Sequence, residues 1–296
     1  MNKAAIIVNP NAGNKQLVEN INEVVQKLEE KYSEVIVHQT QDVGDGGNFL
    51  TKIAGEVDLV IGAGGDGTIH ELVNALCPLE KRPLFAILPG GTCNDFSRAI
   101  GMNQNPFKAI DQILEHKVEQ LDVGHCNAHY FLNFWGIGLI TQVSTNIDSQ
   151  FKDKFGRLSY YLSAAQTLKN YDPFQLEIES PDFTYQGEAA MLIVGNGPFT
   201  GGIKAFFLDT DIQDGKFDIL IVKEPSLRLI WDTIQSKMLN QTPANDDIKY
   251  YKTSRLKVNT APDQLIDCDG ERNVHTPAEL VNLEKYLSVI VGNFPV

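Results

Sequence analysis

Short apolar runs alternate with helical repeats over the first hundred residues of the chain. Four runs have the length and continuity of buried strands: 4–8, 34–38, 57–61 and 82–88. The stretch 17–28 repeats apolar residues every three or four positions, which predicts an amphipathic helix of about four turns. A short helix up to Ala54 and another over 69–76 fill the next two connections. This β-α-β-α-β-α-β-α order predicts a parallel sheet with helices on both faces.

The pattern changes near residue 117, where strand-like runs separated by turn residues become dominant. The runs are 118–124, 130–135, 174–179, 188–195, 217–222, 248–259 and 264–268. Two helical repeats interrupt them, over 155–168 and 227–238. We therefore predict an α/β domain over residues 1–120 and a mainly β domain, an antiparallel sandwich or barrel, over 121–296. The terminal residues 286–296 suit either closure of the second sheet or packing back on the first domain.

A glycine turn with the sequence GGDGT, over residues 64–68, links the third predicted strand to the next helix. This strand–turn–helix geometry aims backbone N–H groups at a phosphate. Asp66 would repel a phosphate unless a cation lies between them, so the turn predicts a nucleotide together with Mg²⁺. Thr68 and Glu71 have the spacing of a capping box at the start of the helix. The alternative interpretation is a glycine turn with an aspartate cap and no ligand.

A second glycine turn, with the sequence PGGTCNDF over residues 89–96, follows the fourth predicted strand. Thr92 and Asp95 repeat the Thr-x-x-acid spacing of a helix cap. The carboxyl ends of parallel strands lie at one edge of a sheet. Two glycine turns in that position therefore predict a ligand at this edge.

The charge of the chain narrows the class of partner. The chain has 296 residues and a formal net charge of -13. This charge argues against a general nucleic-acid-binding protein and gives no overall attraction to an anionic membrane. Four dispersed cysteines suit a reducing cytoplasm and argue against a zinc site or a disulfide framework. The sequence contains no signal-peptide pattern and no membrane-spanning apolar window, so we expect any membrane contact to be peripheral.

Further motifs follow the two glycine turns in a fixed order. They are NPNAG at 9–13, KFGRLSY at 154–160, NGPFTGG at 196–202, DGKFD at 214–218 and DGE at 269–271. Together, these motifs resemble the diacylglycerol kinase catalytic-domain family, and more narrowly its soluble bacterial lipid kinases of the DgkB, YegS and BmrU type. The resemblance covers nearly the whole chain. Two departures are Cys93, where the family often has Thr or Ala, and a segment 203–210 without Pro.

The resemblance implies a fold and a reaction. The fold is an N-terminal α/β nucleotide-binding domain of the phosphofructokinase and NAD-kinase type, followed by a C-terminal β-sandwich domain. In the reaction, the γ-phosphoryl group of ATP passes to a lipid hydroxyl in the cleft between the domains. The typical reaction of the family converts diacylglycerol to phosphatidic acid, and its cofactors are ATP and Mg²⁺.

The resemblance also implies roles for individual residues. The catalytic residues are Asp66, Asp95, Glu271 and Asp269, of which Asp269 matches the general base. The nucleotide-binding residues are Asn9, Thr40, Gly64, Gly65, Gly67, Thr68, Gly90, Gly91, Thr92 and Asn94. A structural Mg²⁺ would use the carboxylate of Asp214 and the backbone carbonyls of Asp211 and Lys216.

Other interpretations fit parts of the sequence. An NAD kinase shares the GGDGT turn, although the PGGTCND and DGE motifs favour a lipid kinase. A nucleotide-binding regulator without catalysis fits less well, because every acidic motif position is occupied. From spacing alone, Asp269-Gly270 and Asp214-Gly215 also fit hairpin turns with no chemical role.

The expected partner is a lipid substrate at a membrane interface. We expect the chain to be cytoplasmic and to contact the inner face of the cell membrane peripherally, with the aromatic and basic patch at 151–155 as one candidate contact. Nucleic acid is not an expected partner. The oligomeric state that we predict for testing is a homodimer.

Overall fold

The structure is a computed structural model that describes residues 2–13, 16–141, 172–202, 204, 206–207, 209–224 and 247–294. The predicted helices over 155–168 and 227–238, the KFGRLSY motif and the patch at 151–155 lie outside these residues. The chain divides into two compact units, Met1–Val123 with Lys285–Val296, and Gly124–Glu284. Across the described ranges, no helix is both long enough and apolar enough to cross a membrane.

Strands and helices alternate along the described part of the first unit. The strands are β1 (Lys3–Val8), β2 (Glu34–Gln39), β3 (Leu59–Gly64) and β4 (Leu84–Pro89). The helices are α1 (Gln16–Glu19), α2 (Ile21–Glu29), α3 (Asp45–Ile53), α4 (Asp66–Leu76), α5 (Asp95–Ala99) and α6 (Pro106–Glu115). The strands are parallel and follow the order β2-β1-β3-β4. The predicted α/β unit with a parallel sheet is confirmed, although the predicted four-turn helix is two pieces, α1 and α2.

Helices bury the central strands of this sheet. Every residue of β3, and every residue of β1 after Lys3, is buried. The helices pack in two pairs, α2 with α6 and α3 with α4. Right-handed crossovers place these pairs on opposite faces of the sheet. Continuous burial of this kind explains why the strands are uninterrupted apolar runs in the sequence.

Antiparallel strands form the second unit. They are β6 (His129–Phe131), β7 (Phe134–Gly138), β8 (Phe174–Glu179), β9 (Thr184–Ala189), β10 (Met191–Gly195), β11 (Phe217–Val222), β12 (Ile248–Thr253), β13 (Arg255–Ala261), β14 (Leu265–Cys268) and β15 (Glu271–His275). Two longer strands, β5 (Val118–Cys126) and β16 (Ala278–Ile290), contribute residues to both units. In the first unit, Val289 of β16 pairs in parallel with Phe85 of β4.

The strands of the second unit form two layers. One has the order β12-β11-β10-β7-β14-β15, and the other contains β16-β13-β8-β9. Buried residues of both layers form one core, which includes Trp135, Phe174 and Phe217. The predicted antiparallel β-sandwich is therefore confirmed.

Three runs predicted as single strands are each two strands in the structure. The runs 188–195 and 248–259 break at Ala190 and Ser254, where the chain leaves one layer for the other. The run 130–135 also breaks where the chain changes sheet, and at this break the N–H groups of Leu132 and Asn133 donate to the side chain of Asp269. An apolar run alone does not reveal such a corner or a distant partner.

Candidate active site

Three loops of the first unit follow the adjacent strands β1, β3 and β4, so they meet at the carboxyl edge of the sheet. The side-chain Nδ2 of Asn9 donates to Oγ1 of Thr68 at 3.1 Å, and its backbone N–H donates to the carbonyl of Ala63 at 3.0 Å. The N–H of Gly90 donates to the carbonyl of Gly64 at 2.8 Å. The structure thus brings the NPNAG segment and both glycine turns together, as expected for an open α/β sheet.

Glycine residues allow these loops to touch backbone to backbone. A Cβ atom on Gly91 would lie 2.6 Å from the Cα of Gly65. A Cβ atom on Gly13, whose φ is +60°, would overlap the carbonyl oxygen of Gly90. Neither position has room for a side chain. These glycines are therefore required for the packing of the loops.

The carboxylate of Asp66 connects the first glycine turn to the second. Its Oδ2 accepts the N–H of Asn94 at 2.8 Å, and its Oδ1 accepts the N–H of Asp95 at 2.6 Å. Asp66 is also the first residue of α4, and Gly65 is the N-cap without a side-chain cap. The predicted metal ligand thus has a structural role at the loop junction.

The predicted capping box of Thr68 and Glu71 is wrong, because both side chains have other partners. The hydroxyl of Thr68 accepts from Asn9, and the carboxylate of Glu71 accepts the N–H of Gly47 at 2.8 Å. Gly47 lies in the first turn of α3. Glu71 therefore caps the neighbouring helix instead of its own.

Asn94 closes the second glycine turn from inside. It has a left-handed backbone with φ of +50° and is the N-cap of α5, so the predicted cap of Thr92 with Asp95 is wrong. Oδ1 of Asn94 accepts the N–H of Gly91 at 2.8 Å, and Nδ2 donates to the carbonyl of Gly91 at 2.9 Å. Because Asn94 already receives the N–H of Gly91, this group does not point at a phosphate in the observed conformation.

The first turn of α4 is the part of this edge that suits an anion. N–H groups of a first helical turn have no partner within the helix, and the helix dipole favours negative charge there. Gly67 and Thr68 lie in this turn. Thr92 is exposed in the second loop, and Thr40 follows β2, where its N–H donates to Val8 at 3.0 Å.

In the second unit, the carboxylate of Asp269 accepts three consecutive backbone N–H groups. Its Oδ2 accepts from Leu132 at 2.7 Å, and its Oδ1 accepts from Asn133 at 3.0 Å and from Phe134 at 2.8 Å. We call these donors the N–H triplet. Asp269 lies between β14 and β15 with φ of +51°. A hairpin turn alone does not require an anion-binding arrangement of this kind.

Asp267 is a residue that the sequence prediction missed. Its side chain is 1% exposed, and Oδ1 accepts the N–H of Gly270 at 2.8 Å, which fixes the turn that contains Asp269. The spacing Asp-x-x-Gly, typical of a turn closed by an aspartate side chain, was the available signal. Glu271 begins β15 opposite Cys268 and is exposed.

The Asp-Gly turn at Asp214 contains an ion pair. Oδ1 of Asp214 accepts the N–H of Lys216 at 2.9 Å, and Oδ2 lies 3.5 Å from Nζ of Lys252. The same ammonium lies 3.3 Å from Asp218. Oδ1 of Asp211 accepts the N–H of Gln213 at 2.9 Å. These residues do not fit a divalent cation as they stand, because Mg²⁺ on Asp214 would lie beside an ammonium group.

Burial and charge act in opposite directions in this ion pair. Burial raises the pKa of Asp218, and the ammonium of Lys252 offsets that effect in part. Burial opposes the charge on Lys252, but Asp218 and Asp214 together outweigh burial and raise its pKa. At neutral pH the site therefore holds a charged lysine between two carboxylates.

Comparisons with known proteins identify both parts of the chain. Residues 3–126 match the family described as diacylglycerol kinase catalytic domain, and residues 136–291 match the YegS C-terminal NAD kinase beta sandwich-like domain. The chain is 34% identical to a diacylglycerol kinase of Bacillus subtilis, over 98% of this chain and 97% of the relative. It is 30% identical to a diacylglycerol kinase of Staphylococcus saprophyticus, over 98% and 96%.

A solved structure has the same fold over nearly its whole length. The crystal structure of a diacylglycerol kinase from Bacillus anthracis str. Sterne matches with a TM-score of 0.85 and 36% identity, over 98% of this chain and 97% of that chain. The family resemblance of the motifs is therefore confirmed. With both of its domains and nearly all of its length matched, the chain belongs to the diacylglycerol kinase family.

Proposed function

We propose that this kinase transfers the γ-phosphoryl group of ATP, bound with Mg²⁺, to a lipid hydroxyl, and that it converts diacylglycerol to phosphatidic acid. The observation that carries the proposal is the meeting of three loops at the carboxyl edge of the parallel sheet, where Asp66 accepts two N–H groups of the second glycine turn. Open α/β sheets bind their ligands at this edge. The names of the relatives support diacylglycerol as the acceptor.

In the first unit, we assign the N–H groups of Gly67 and Thr68 to the phosphates of the nucleotide. The carboxylates of Asp66 and Asp95 would hold Mg²⁺, which neutralises charge on the phosphates when it is bound. Within the described ranges, no three His, Cys, Asp or Glu side chains form a preformed metal site. Mg²⁺ commonly binds one or two carboxylates together with substrate phosphates, so the cation would arrive with the nucleotide.

In the second unit, we assign Asp269 as the general base. It takes the proton of the acceptor hydroxyl as that oxygen attacks the γ-phosphorus and ADP leaves. The N–H triplet supports this role, because it fixes the direction of a carboxylate that must meet a hydroxyl in one orientation. Glu271, the second acidic residue of the DGE motif, remains a predicted catalytic residue.

The proposed acceptor, diacylglycerol, implies that the enzyme acts at a membrane. We propose a cytoplasmic enzyme that contacts the membrane peripherally, because diacylglycerol lies in the membrane. The net charge of -13 argues against a general electrostatic attraction to anionic lipid. Flotation with liposomes that contain diacylglycerol tests the contact, and sedimentation of the purified chain tests the proposed homodimer.

The substrate is tested with radiolabelled ATP and a panel of acceptors: diacylglycerol, phosphatidylglycerol and a sphingoid base in mixed micelles, and NAD in solution. We expect labelled phosphatidic acid from diacylglycerol, and the labelling should require Mg²⁺. Phosphorylation of NAD without any lipid product would overturn the proposal. Label on another lipid would keep the lipid kinase and replace the acceptor.

The base is tested with Asp269→Asn, which retains a side chain of similar shape at a left-handed backbone position. We expect phosphorylation to fall by about 10² to 10⁴-fold, the usual contribution of general base catalysis, while ATP binding measured by calorimetry is retained. Asp263→Asn, at an exposed position of the same unit, is the control. Full activity of Asp269→Asn would remove this residue from the mechanism.

A further inference from the structure

The first two residues of the NGPFTGG segment contact the backbone that holds Asp269. The backbone N–H groups of Asn196 and Gly197 both donate to the carbonyl of Asn133, each at 2.8 Å. The side-chain Nδ2 of Asn196 donates to the carbonyl of Leu132 at 2.9 Å. Asn196 is 1% exposed, so these hydrogen bonds are protected from water. Both carbonyls of the break between β6 and β7 therefore have fixed partners.

These carbonyls determine the direction of the N–H triplet. A peptide group is planar and trans, so the carbonyl of one residue and the N–H of the next point in opposite directions. The carbonyl of Leu132 shares a plane with the N–H of Asn133, and the carbonyl of Asn133 shares a plane with the N–H of Phe134. Both N–H groups donate to Oδ1 of Asp269. Fixing the two carbonyls thus fixes two of the three donors.

Asn282 on β16 sets the orientation of the Asn196 amide. Its Nδ2 donates to Oδ1 of Asn196 at 3.1 Å, in a buried position. Because the oxygen of Asn196 faces Asn282, the amide nitrogen of Asn196 faces Leu132. The backbone N–H of Asn282 donates to the carbonyl of Ser254 at 2.8 Å, which anchors this residue in turn.

We infer that Asn196 is a positioning residue for Asp269, whose side chain acts through the peptide group between Leu132 and Asn133 and is oriented by Asn282. This inference rests on the proposed role of Asp269 as the general base. Asn196 touches neither substrate nor nucleotide in this assignment. Its effect on the reaction passes through the N–H triplet, which distinguishes it from a buried asparagine that serves stability alone.

A double-mutant cycle tests this inference on the full chain, with the rate of phosphatidic acid formation as the measurement. Asn196→Ala is expected to lower kcat by about 10- to 100-fold, since a small displacement of a catalytic group has an effect of that order. The dissociation constant for ATP should stay within about twofold, because binding of the nucleotide is assigned to the first unit.

The Asp269→Asn variant distinguishes a positioning role of Asn196 from a role in stability alone. In Asp269→Asn, the further change Asn196→Ala should lower the residual rate by less than about twofold, because the base that it positions has been removed. Asn259→Ala, at an exposed position of β13, is the matched control and should leave kcat unchanged in both backgrounds. An equal loss of rate from Asn196→Ala in both backgrounds would overturn the inference.

Failure of the inference and failure of the proposed function give different results. If Asp269→Asn keeps the full rate, the base assignment fails. If Asp269→Asn loses activity but Asn196→Ala does not, the positioning role alone is overturned. Where Asn196→Ala does not fold, Asn282→Ala is measured in the same cycle, with an expected loss of roughly 3- to 10-fold in kcat that disappears in the Asp269→Asn background.

Discussion

The backbone N–H of Asn94 lies 2.8 Å from Oδ2 of Asp66, across 28 residues of sequence. The neighbouring N–H of Asp95 lies 2.6 Å from the other oxygen of the same carboxylate. The two glycine turns are therefore joined through one side chain. Asp66 thus holds the two loops together, and in the proposed function its carboxylate would also bind Mg²⁺.

The change Asp66→Asn tests the loop-joining role. We expect it to lower the free energy of unfolding by about 1.5–3 kcal/mol, the contribution of hydrogen bonds to a charged group, because an amide offers one acceptor where the carboxylate offers two. ATP affinity should fall by at least about tenfold as the second loop loosens. Urea unfolding and calorimetry measure the two effects. Asp111→Asn, which removes a surface ion pair with Lys27, is the control and should change stability by less than about 1 kcal/mol.

Loss of ATP binding in Asp66→Asn with unchanged stability would contradict the loop-joining role. That result would assign the carboxylate to the ligand alone.

Contact between Gly65 and Gly91 predicts a steric effect at the same edge. In Gly91→Ala, the new Cβ would lie 2.6 Å from the Cα of Gly65 and 2.9 Å from Oδ1 of Asn94. We expect a loss of about 1–3 kcal/mol in stability and weaker ATP binding, because the loops must separate. Gly55→Ala is the matched control, since a Cβ there meets no atom within 4 Å. Equal stability and equal ATP affinity of the two variants would show that the loops are not packed as described.

Cys93 provides a probe of nucleotide binding that does not depend on catalysis. Burial raises the pKa of Cys77 and of Cys126 to about 12 and raises that of Cys268 well above its usual value, so these thiols should be inert in the native protein. Cys93 is partly exposed in the second glycine turn. We expect Ellman's reagent to modify one thiol rapidly before denaturation and all four after it.

ATP with Mg²⁺ should slow this fast modification several-fold, because the proposed nucleotide site includes the same turn. Cys93→Ala should abolish the fast phase and identify the reactive thiol. A fast phase that ATP does not change would place the nucleotide away from this loop.

Local patterns predict the class of each domain, but not every element or the contacts of the side chains. The α/β order of the first unit is predictable because strands such as β3 are buried on both faces and are apolar throughout. Capping boxes are also local patterns, and here they mislead. Glu71 fits the box of its own helix, yet its carboxylate binds the N–H of Gly47, 24 residues earlier. The tertiary hydrogen bond to Gly47 forms in place of the local capping hydrogen bond.

Motif matching selects Asp269, but its surroundings cannot be predicted from the sequence. The carboxylate binds N–H groups that lie 135 to 137 residues earlier in the chain. Every residue except proline has such a group, so the N–H triplet has no sequence signature. The break that exposes the triplet lies inside an apolar run, where periodicity favours a continuous strand.

The ion pair of Lys252 with Asp214 and Asp218 predicts a pH-dependent stability. The stability that arises from the raised pKa of Asp218 is complete below its ordinary value of 3.8 and is lost as the pH rises through the raised value. The contribution of Lys252 is complete below 10.5 and is lost as the pH rises through its own raised value. At pH 7 the ammonium is therefore present and offsets the charge of the carboxylates.

Lys252→Met removes this ammonium and should lower the free energy of unfolding by about 1–2 kcal/mol at pH 7. This value lies between those for exposed and buried pairs, because the lysine side chain is 45% exposed. The difference from wild type should shrink near pH 4, where protonation of Asp218 relieves the repulsion. Urea unfolding at both pH values measures this difference in the free energy of unfolding. Lys257→Met, at an exposed position, is the control.

Added Mg²⁺ completes this test without nucleotide. In the wild type, the ammonium of Lys252 competes for the carboxylate of Asp214, so Mg²⁺ at millimolar concentration should leave Tm unchanged. Lys252→Met frees that carboxylate from the ammonium, so the same Mg²⁺ should raise Tm of the variant. Stabilisation of the wild type that disappears in Asp214→Asn would instead place a structural Mg²⁺ at this turn despite the lysine.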